Sequence, residues 1–251
     1  MIQFDFKDKV VLVTGASRGM GAQILRQFVN AGGHGLLNFL PNEQNLADAN
    51  ALIHEFHSHG KKCDLAGFDV SQELEVQQHL EMLGQKFGKL DVLINNAGIS
   101  MRAMFEDCEV DVIKKVMDIN FYGMVYATKY ALPYIKKAKG SIVGISSIAG
   151  YRGLPVRIGY SASKFAMNGF LEALRTELLY EDVHVLTACP GFTASNIRVA
   201  SLGGNGQTKG ETMMVSWLYA AALLATAFLF GGMLLRSPQL LARRLRTREA
   251  S

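Results

Sequence analysis

Cysteine is scarce. The chain of 251 residues has three, Cys63, Cys108 and Cys189, too few and too scattered for a disulfide framework. No Cys-x-x-Cys pair and no Cys/His spacing points to zinc, so free thiols of a reducing compartment are expected. His54, His57 and His59 lie close together, but nothing acidic or thiol-bearing completes a ligand set. They read as a solvated helix face, and no metal is expected. A basic surface is also missing from most of the chain. The net charge of +4 belongs to residues 236–251, which hold Arg236, Arg243, Arg244, Arg246 and Arg248 against the single acid Glu249. The residues before them carry equal numbers of basic and acidic side chains. A neutral body without a basic stripe argues against nucleic-acid binding. Lys136, Lys137 and Lys139 are read as cations closing a helix, where they complement its dipole. A leader is not expected either, because the polar residues 1–9 run straight into an apolar strand.

What is present is apolar and alternating. A hydrophobic fraction of 49% against 19% charged excludes a disordered chain, and the length suits one α/β domain. Residues 10–13 are a fully apolar run, as in a strand buried on both faces. Further strands are predicted at 36–39, 62–68, 90–94, 141–146 and 183–188. Helices are predicted at 44–59, 73–87, 110–137 and 160–180, with another after the first strand carrying Ile24, Leu25 and Phe28. Strands alternating with helices imply a doubly wound parallel sheet, a Rossmann-type three-layer αβα domain with right-handed crossovers. Ligands in such sheets bind beyond the carboxyl ends of the strands, and the distinctive residues cluster there.

The first cluster is Thr14-Gly15-Ala16-Ser17-Arg18-Gly19-Met20-Gly21, which follows the first strand and opens a helix. Its glycines permit a tight turn and bring backbone close to a pyrophosphate at a helix N-terminus. The spacing is Gly-x₃-Gly-x-Gly, not the commoner Gly-x-Gly-x-x-Gly. The second is Asn95-Asn96-Ala97-Gly98, closing the fourth strand; its asparagines can brace the neighbouring strand end, and its small residues leave room for a nucleotide. The third is Tyr160-Ser161-Ala162-Ser163-Lys164, with Ser147 upstream at a strand end. Tyr and Lys four residues apart share a helix face. An ammonium beside a phenol favours phenolate, which makes a proton donor and acceptor for neutral pH.

These motifs, with Asn120 and Pro190-Gly191, stand in the order and spacing of the short-chain dehydrogenases/reductases, and residues 5–197 resemble the single-domain Tyr-x-x-x-Lys branch of that family. The resemblance implies an NAD(P)-dependent oxidoreductase that interconverts a ketone or aldehyde and an alcohol. It implies Tyr160 as the acid/base, Lys164 as its charged partner and ribose contact, and Ser147 as the group positioning the substrate oxygen. Asn120 would order a water relaying protons to Lys164. Cofactor contacts are implied at Gly15, Ser17, Arg18, Gly19, Met20, Gly21, Asp69, Val70, Asn96, Ala97 and Gly98, besides Tyr160 and Lys164. Thr193, with Ser195 as second candidate, matches the carboxamide contact. A small-molecule substrate and a homo-oligomer are implied as partners. A non-catalytic dinucleotide sensor or scaffold stays open as the alternative, as does an enzyme impaired by its carboxyl-terminal segment.

The cofactor expected is NADP. The second strand ends in Leu37-Asn38-Phe39-Leu40-Pro41-Asn42 with no acid before Glu43 to bind a ribose 2′-hydroxyl, and Arg18 can pair with a 2′-phosphate. NAD stays open, because Pro41 stands where another basic residue is common. The catalytic domain is assigned to residues 1–200, and 201–251 to a mobile glycine loop, an apolar helix over 213–235 and the arginine tail. The 213–235 stretch has no charge and is long enough to cross a ~30 Å hydrocarbon core. It reads either as a membrane-associated segment, with arginines on anionic lipid, or as a soluble lid or subunit interface. The expected location is cytoplasmic, with membrane association open. The apolar tail suggests a lipid-like substrate such as a steroid, retinoid or long-chain keto compound.

Overall fold

The strands are short and overlap the segments the sequence predicts, the central ones being the most apolar. They are β1 (Val10–Val13), β2 (His34–Phe39), β3 (Cys63–Gly67), β4 (Val92–Asn95), β5 (Ser141–Ile145) and β6 (His184–Ala188). The computed structural model describes residues 5–191 and 200–208. All pairings are parallel, in the order β3-β2-β1-β4-β5-β6. The order runs outward from β1 to β3 on one side and from β4 to β6 on the other. The switch point therefore lies between β1 and β4, and its crevice opens at the carboxyl ends of the strands.

Among the described residues, six α-helices connect the strands and lead between them: α1 (Gly19–Asn30), α2 (Glu43–Ser58), α3 (Glu73–Phe87), α4 (Val110–Met117), α5 (Gly123–Ala138) and α6 (Ile158–Glu177). The stretch predicted as one helix from 110 to 137 is α4 and α5 joined through a π-helical segment, Asp118–Tyr122. Period-two alternation sends the strand side chains to two cores. Val11, Val13, Leu37 and Ile94 pack with Leu25 and Val29 of α1 and Leu52 and Phe56 of α2. Val10, Leu12, Leu36 and Leu93 pack with Leu80 of α3, Ala131 of α5 and Leu171 of α6. Each fully buried Leu or Val contributes about 1.5–3 kcal/mol, and the two cores make the three layers.

One buried charge is structural. Asp91, 4% exposed, accepts from the Val10 N–H at 2.9 Å and from the ammoniums of Lys9 and Lys89, each at 3.0 Å. Burial alone would raise this carboxyl, but those three donors outweigh it and hold it below the usual carboxylate value. A depressed folded-state pKa gives stability that is present above the unfolded value and lost as pH falls through the folded one. Asp91→Ala strands the Val10 N–H between β1 and β4. Urea unfolding at neutral pH should show a loss of about 2 kcal/mol, and the gap should narrow as pH drops below about 4. A variant as stable as the parent contradicts this reading.

Residues 201–208, read from their glycines as a mobile loop, are instead held by backbone hydrogen bonds. Leu202 N–H donates to Ser100 O at 2.9 Å, Arg102 N–H to Leu202 O at 2.7 Å, and Glu109 N–H to Gly204 O at 2.9 Å. The segment closes on itself through Gly203 N–H to Gln207 O at 2.7 Å. Among the described residues no helix is long and apolar enough to cross a membrane. The 213–235 stretch and the arginine tail lie outside the described residues.

Candidate functional site

The glycine turn fills the switch point. Gly15 sits at φ +62°, and a Cβ there would come within 2.9 Å of the Ala97 Cα. A side chain on Gly21 would meet Gly15 O at 2.4 Å and Asn96 Nδ2 at 2.5 Å. Both positions thus exclude a side chain, the first by conformation and the second by contact. Thr14 Oγ1 locks the turn to the end of β4: it accepts the N–H groups of Asn96 at 2.9 Å and Ala97 at 3.0 Å and donates to Ile94 O at 3.4 Å. Asn96 Nδ2 reaches back to Thr14 O at 2.8 Å and Gly15 O at 3.1 Å. Asn95 turns the other way, as alternation requires, and donates to Thr128 Oγ1 on α5 at 3.1 Å. The bracing expected of both asparagines therefore divides: Asn96 braces the glycine turn and Asn95 braces a helix.

The start of α1 suits an anion. Its N-cap residue, Arg18, makes no side-chain cap, and the first turn contains no acid. The first N–H groups and the positive dipole end are left for a ligand. The Arg18 side chain, half exposed, crosses to α2, with its guanidinium on Asn45 Oδ1 and 3.8 Å from Asp48 Oδ2. Asn42 caps α2 through Asn45 N–H at 2.9 Å, so Arg18 lies beside the turn that follows β2. The turn, the uncapped helix and the cation together fit a dinucleotide.

Asp69 and Val70 follow β3. The Asp69 carboxylate is engaged by the N–H and hydroxyl of Ser71 at 2.9 and 2.8 Å, while Val70 is buried. Ser17 and Met20 are half-buried on the glycine turn and first helical turn. Thr193 and Ser195 lie outside the described residues.

The third part lies over the carboxyl ends of β4 and β5. Asn120, in the π-helical segment and 1% exposed, accepts Ile99 N–H at 2.8 Å. Its Nδ2 donates to Ile99 O at 3.0 Å and to Ser163 Oγ at 2.9 Å. Ser163 in turn donates to Tyr160 O at 2.8 Å. A π turn is a common device at functional sites; here it aims Asn120 at both α6 and the loop after β4. Gly98 leaves room for it, since a Cβ there would stand 3.1 Å from Asn120 Oδ1. The Asn120 amide is thus committed to Ile99 and Ser163, a tie that was not legible in the motif.

Lys164 is 4% exposed. Its Nζ donates to Ile145 O at 2.8 Å and to Met167 Sδ at 3.3 Å, and it lies 5.7 Å from the centre of the Tyr160 ring. Burial pushes this ammonium down to about 8, with Cys189 opposing the shift slightly. Tyr160 is half-buried and packs against the cluster of Met101, Ala103, Val112 and Val116. Ser147 caps the short 3₁₀ turn Ile148–Gly150, accepting Ala149 N–H at 3.2 Å. Tyr160 and Lys164 share one face, and Asn120 reaches the Tyr160 backbone carbonyl through Ser163. Among the described residues no group of three His, Cys, Asp or Glu side chains is placed to hold a metal.

The short chain dehydrogenase family model matches residues 9–203. Among curated proteins the chain is 36% identical over 211 residues to dehydrogenase/reductase SDR family member 7B of Rattus norvegicus, covering 81% of this chain and 64% of that protein. It is 34% identical over 215 residues to dehydrogenase/reductase SDR family member 7 of Homo sapiens, covering 80% and 60%. It is 35% identical over 190 residues to 11-beta-hydroxysteroid dehydrogenase-like 2 of Arabidopsis thaliana, covering 75% and 60%. The chain thus spans less than two thirds of the length of these three relatives. Among solved structures it superposes on a dehydrogenase/reductase of Sinorhizobium meliloti with a TM-score of 0.73 and 27% identity, covering 79% and 78% of the two chains. A gluconate 5-dehydrogenase of Burkholderia cenocepacia, solved with NADP and tartrate, shares the fold at a TM-score of 0.72 and 24% identity, covering 78% and 76%.

Proposed function

Because the chain belongs to the short-chain dehydrogenase family of oxidoreductases, we propose that it interconverts a ketone or aldehyde and an alcohol with a nicotinamide cofactor, using Tyr160 as acid/base. The observation that carries this reading is the placement of Tyr160 and a fully enclosed Lys164 on one face of α6, over the strand ends. Bound nicotinamide supplies the hydride. In carbonyl reduction Tyr160 gives its hydroxyl proton to the substrate oxygen, and the charge of Lys164 steadies the phenolate left behind. The low-dielectric surroundings of Lys164 strengthen that interaction. Ser147 holds the substrate oxygen by a hydrogen bond, and Asn120 fixes α6 against the loop after β4, so the proton donor stays aligned. Gly15, Ser17, Gly19, Met20 and Gly21 would hold the pyrophosphate; Asp69, Val70, Asn96, Ala97 and Gly98 would border the adenosine; Thr193 would take the carboxamide.

NADP is the proposed cofactor. Arg18 lies beside the turn after β2, where a 2′-phosphate would lie, and that turn has no acid before Glu43. A charge-assisted pair is worth about 1.4 kcal/mol or more, about tenfold in affinity. Arg18→Ala should raise the Kd for NADPH about tenfold and leave that for NADH within about twofold, as measured by calorimetric titration. Equal losses for both cofactors contradict the assignment. An apolar, lipid-like carbonyl compound is the proposed substrate class, supported by the uncharged 213–235 segment and by a relative named for a hydroxysteroid activity.

A further inference from the structure

Every residue of β2 past His34 is buried, and all but one of them are apolar or glycine. The exception is Asn38, 1% exposed. A buried carboxamide costs free energy unless it is bonded, and the parallel pairing of the sheet uses backbone groups alone and does not require one. Its bonds show what it does. Nδ2 donates to Ala66 O at 3.0 Å and to Phe68 O at 3.1 Å, while Oδ1 accepts the Gly15 N–H at 3.0 Å. The Asn38 backbone carbonyl accepts the next N–H of the turn, from Ala16, at 2.7 Å. One residue therefore holds two successive amides of the glycine turn. The same side chain holds the backbone that leads into Asp69 and Val70.

We propose that Asn38 is a positioning residue for the dinucleotide: it ties the phosphate-facing turn to the adenosine-facing segment after β3, so that both walls are set before the ligand arrives. The proposal rests on the nicotinamide-cofactor reading. Enclosed as it is, Asn38 acts through Gly15 and Phe68. Gly15 is the pressure point, because a glycine can leave its left-handed backbone for several alternatives, and Asn38 Oδ1, by accepting its N–H, selects one. Presetting a site lowers the ordering cost of binding.

The test is NADPH titration of Asn38→Leu, with fluorescence as readout and far-UV circular dichroism to establish folding. The expected result is a Kd raised about tenfold or more, with the kinetic loss in KM for NADPH and not in kcat. A folded Asn38→Leu that binds NADPH within about twofold of the parent overturns the proposal. Should that variant fail to fold, amide hydrogen exchange on the cofactor-free parent decides. Gly15 and Ala16 N–H exchanging as slowly as β1 support the tie, and exchange at open-loop rates overturns it. A parent protein that binds neither NADPH nor NADH overturns the cofactor reading itself, and the proposal with it. That failure is seen before any variant is made.

Discussion

Tyr160→Phe should lower kcat for carbonyl reduction by about 10²-fold or more, the usual scale for loss of a general acid, while NADPH still binds. The two parts of this result have separate physical causes. The phenol hydroxyl is the only part of the side chain removed, and with it goes the proton that the substrate oxygen needs as hydride arrives. The ring stays, and with it the packing of Tyr160 against the cluster of Met101, Ala103, Val112 and Val116. The tie to Asn120 runs through the backbone carbonyl of Tyr160 and Ser163 Oγ, which the substitution does not touch. Steady-state NADPH consumption and an NADPH titration on the same preparation check both parts. Near-normal turnover removes Tyr160 from the chemistry.

Lys164→Met should cost a similar factor in kcat, about 10²-fold or more, through loss of the charge opposite the phenolate. Its effect on stability should run against its effect on rate. The folded protein holds this ammonium at about 8, well below the ordinary lysine value near ~10.4. The unfolded chain therefore binds more protons between those values, and the burial penalty is fully present below about 8 and lifts as pH rises above it. Met, unbranched and apolar, removes the penalty and keeps most of the volume, leaving Ile145 O without its donor at a cost of about 1 kcal/mol. The variant should unfold at or above the parental temperature at pH 6.5, and the difference should shrink toward pH 10. The same value bears on rate: reduction should decline as pH rises through about 8, where Lys164 loses its charge. A Lys164→Met protein that is strongly destabilised, or that turns over normally, contradicts the account.

The sheet was legible because its strands are short apolar runs separated by turn residues, and the predicted segments fall on β1 to β6 with shifted ends. The shifts have causes. His34 and Gly35 have little strand preference, and they join β2 because Val10 and Val11 pair with them. The π-helical turn at Asp118–Tyr122 divides the stretch predicted as one helix over 110–137, which reads as one because the residues on both sides of the turn are equally helix-compatible. The glycines of 201–208 suggested mobility, but the carbonyls and amides that hold the segment belong to Ser100, Arg102 and Glu109, about a hundred positions away. In the site, the order of Gly15, Asn96, Asn120, Ser147, Tyr160 and Lys164 was visible as motif spacing. What was not visible is which partner each polar group takes. Asn95 and Asn96 are neighbours that face opposite layers. Asn38 is one polar residue in the strand predicted at 36–39. A polar side chain inside an otherwise apolar strand is itself a signal, and it marks where a buried hydrogen bond had to be formed.

Hydride transfer tests the central claim most directly. NADPH deuterated at the transferring position of the nicotinamide is incubated with the protein and a panel of steroid, retinoid and long-chain keto compounds, and the products are read by mass spectrometry. The account predicts an alcohol carrying a single deuterium on the carbinol carbon, absent when Tyr160→Phe replaces the parent. NADPH binding with no label reaching any carbonyl of the panel would contradict it and would leave a dinucleotide sensor on the same fold.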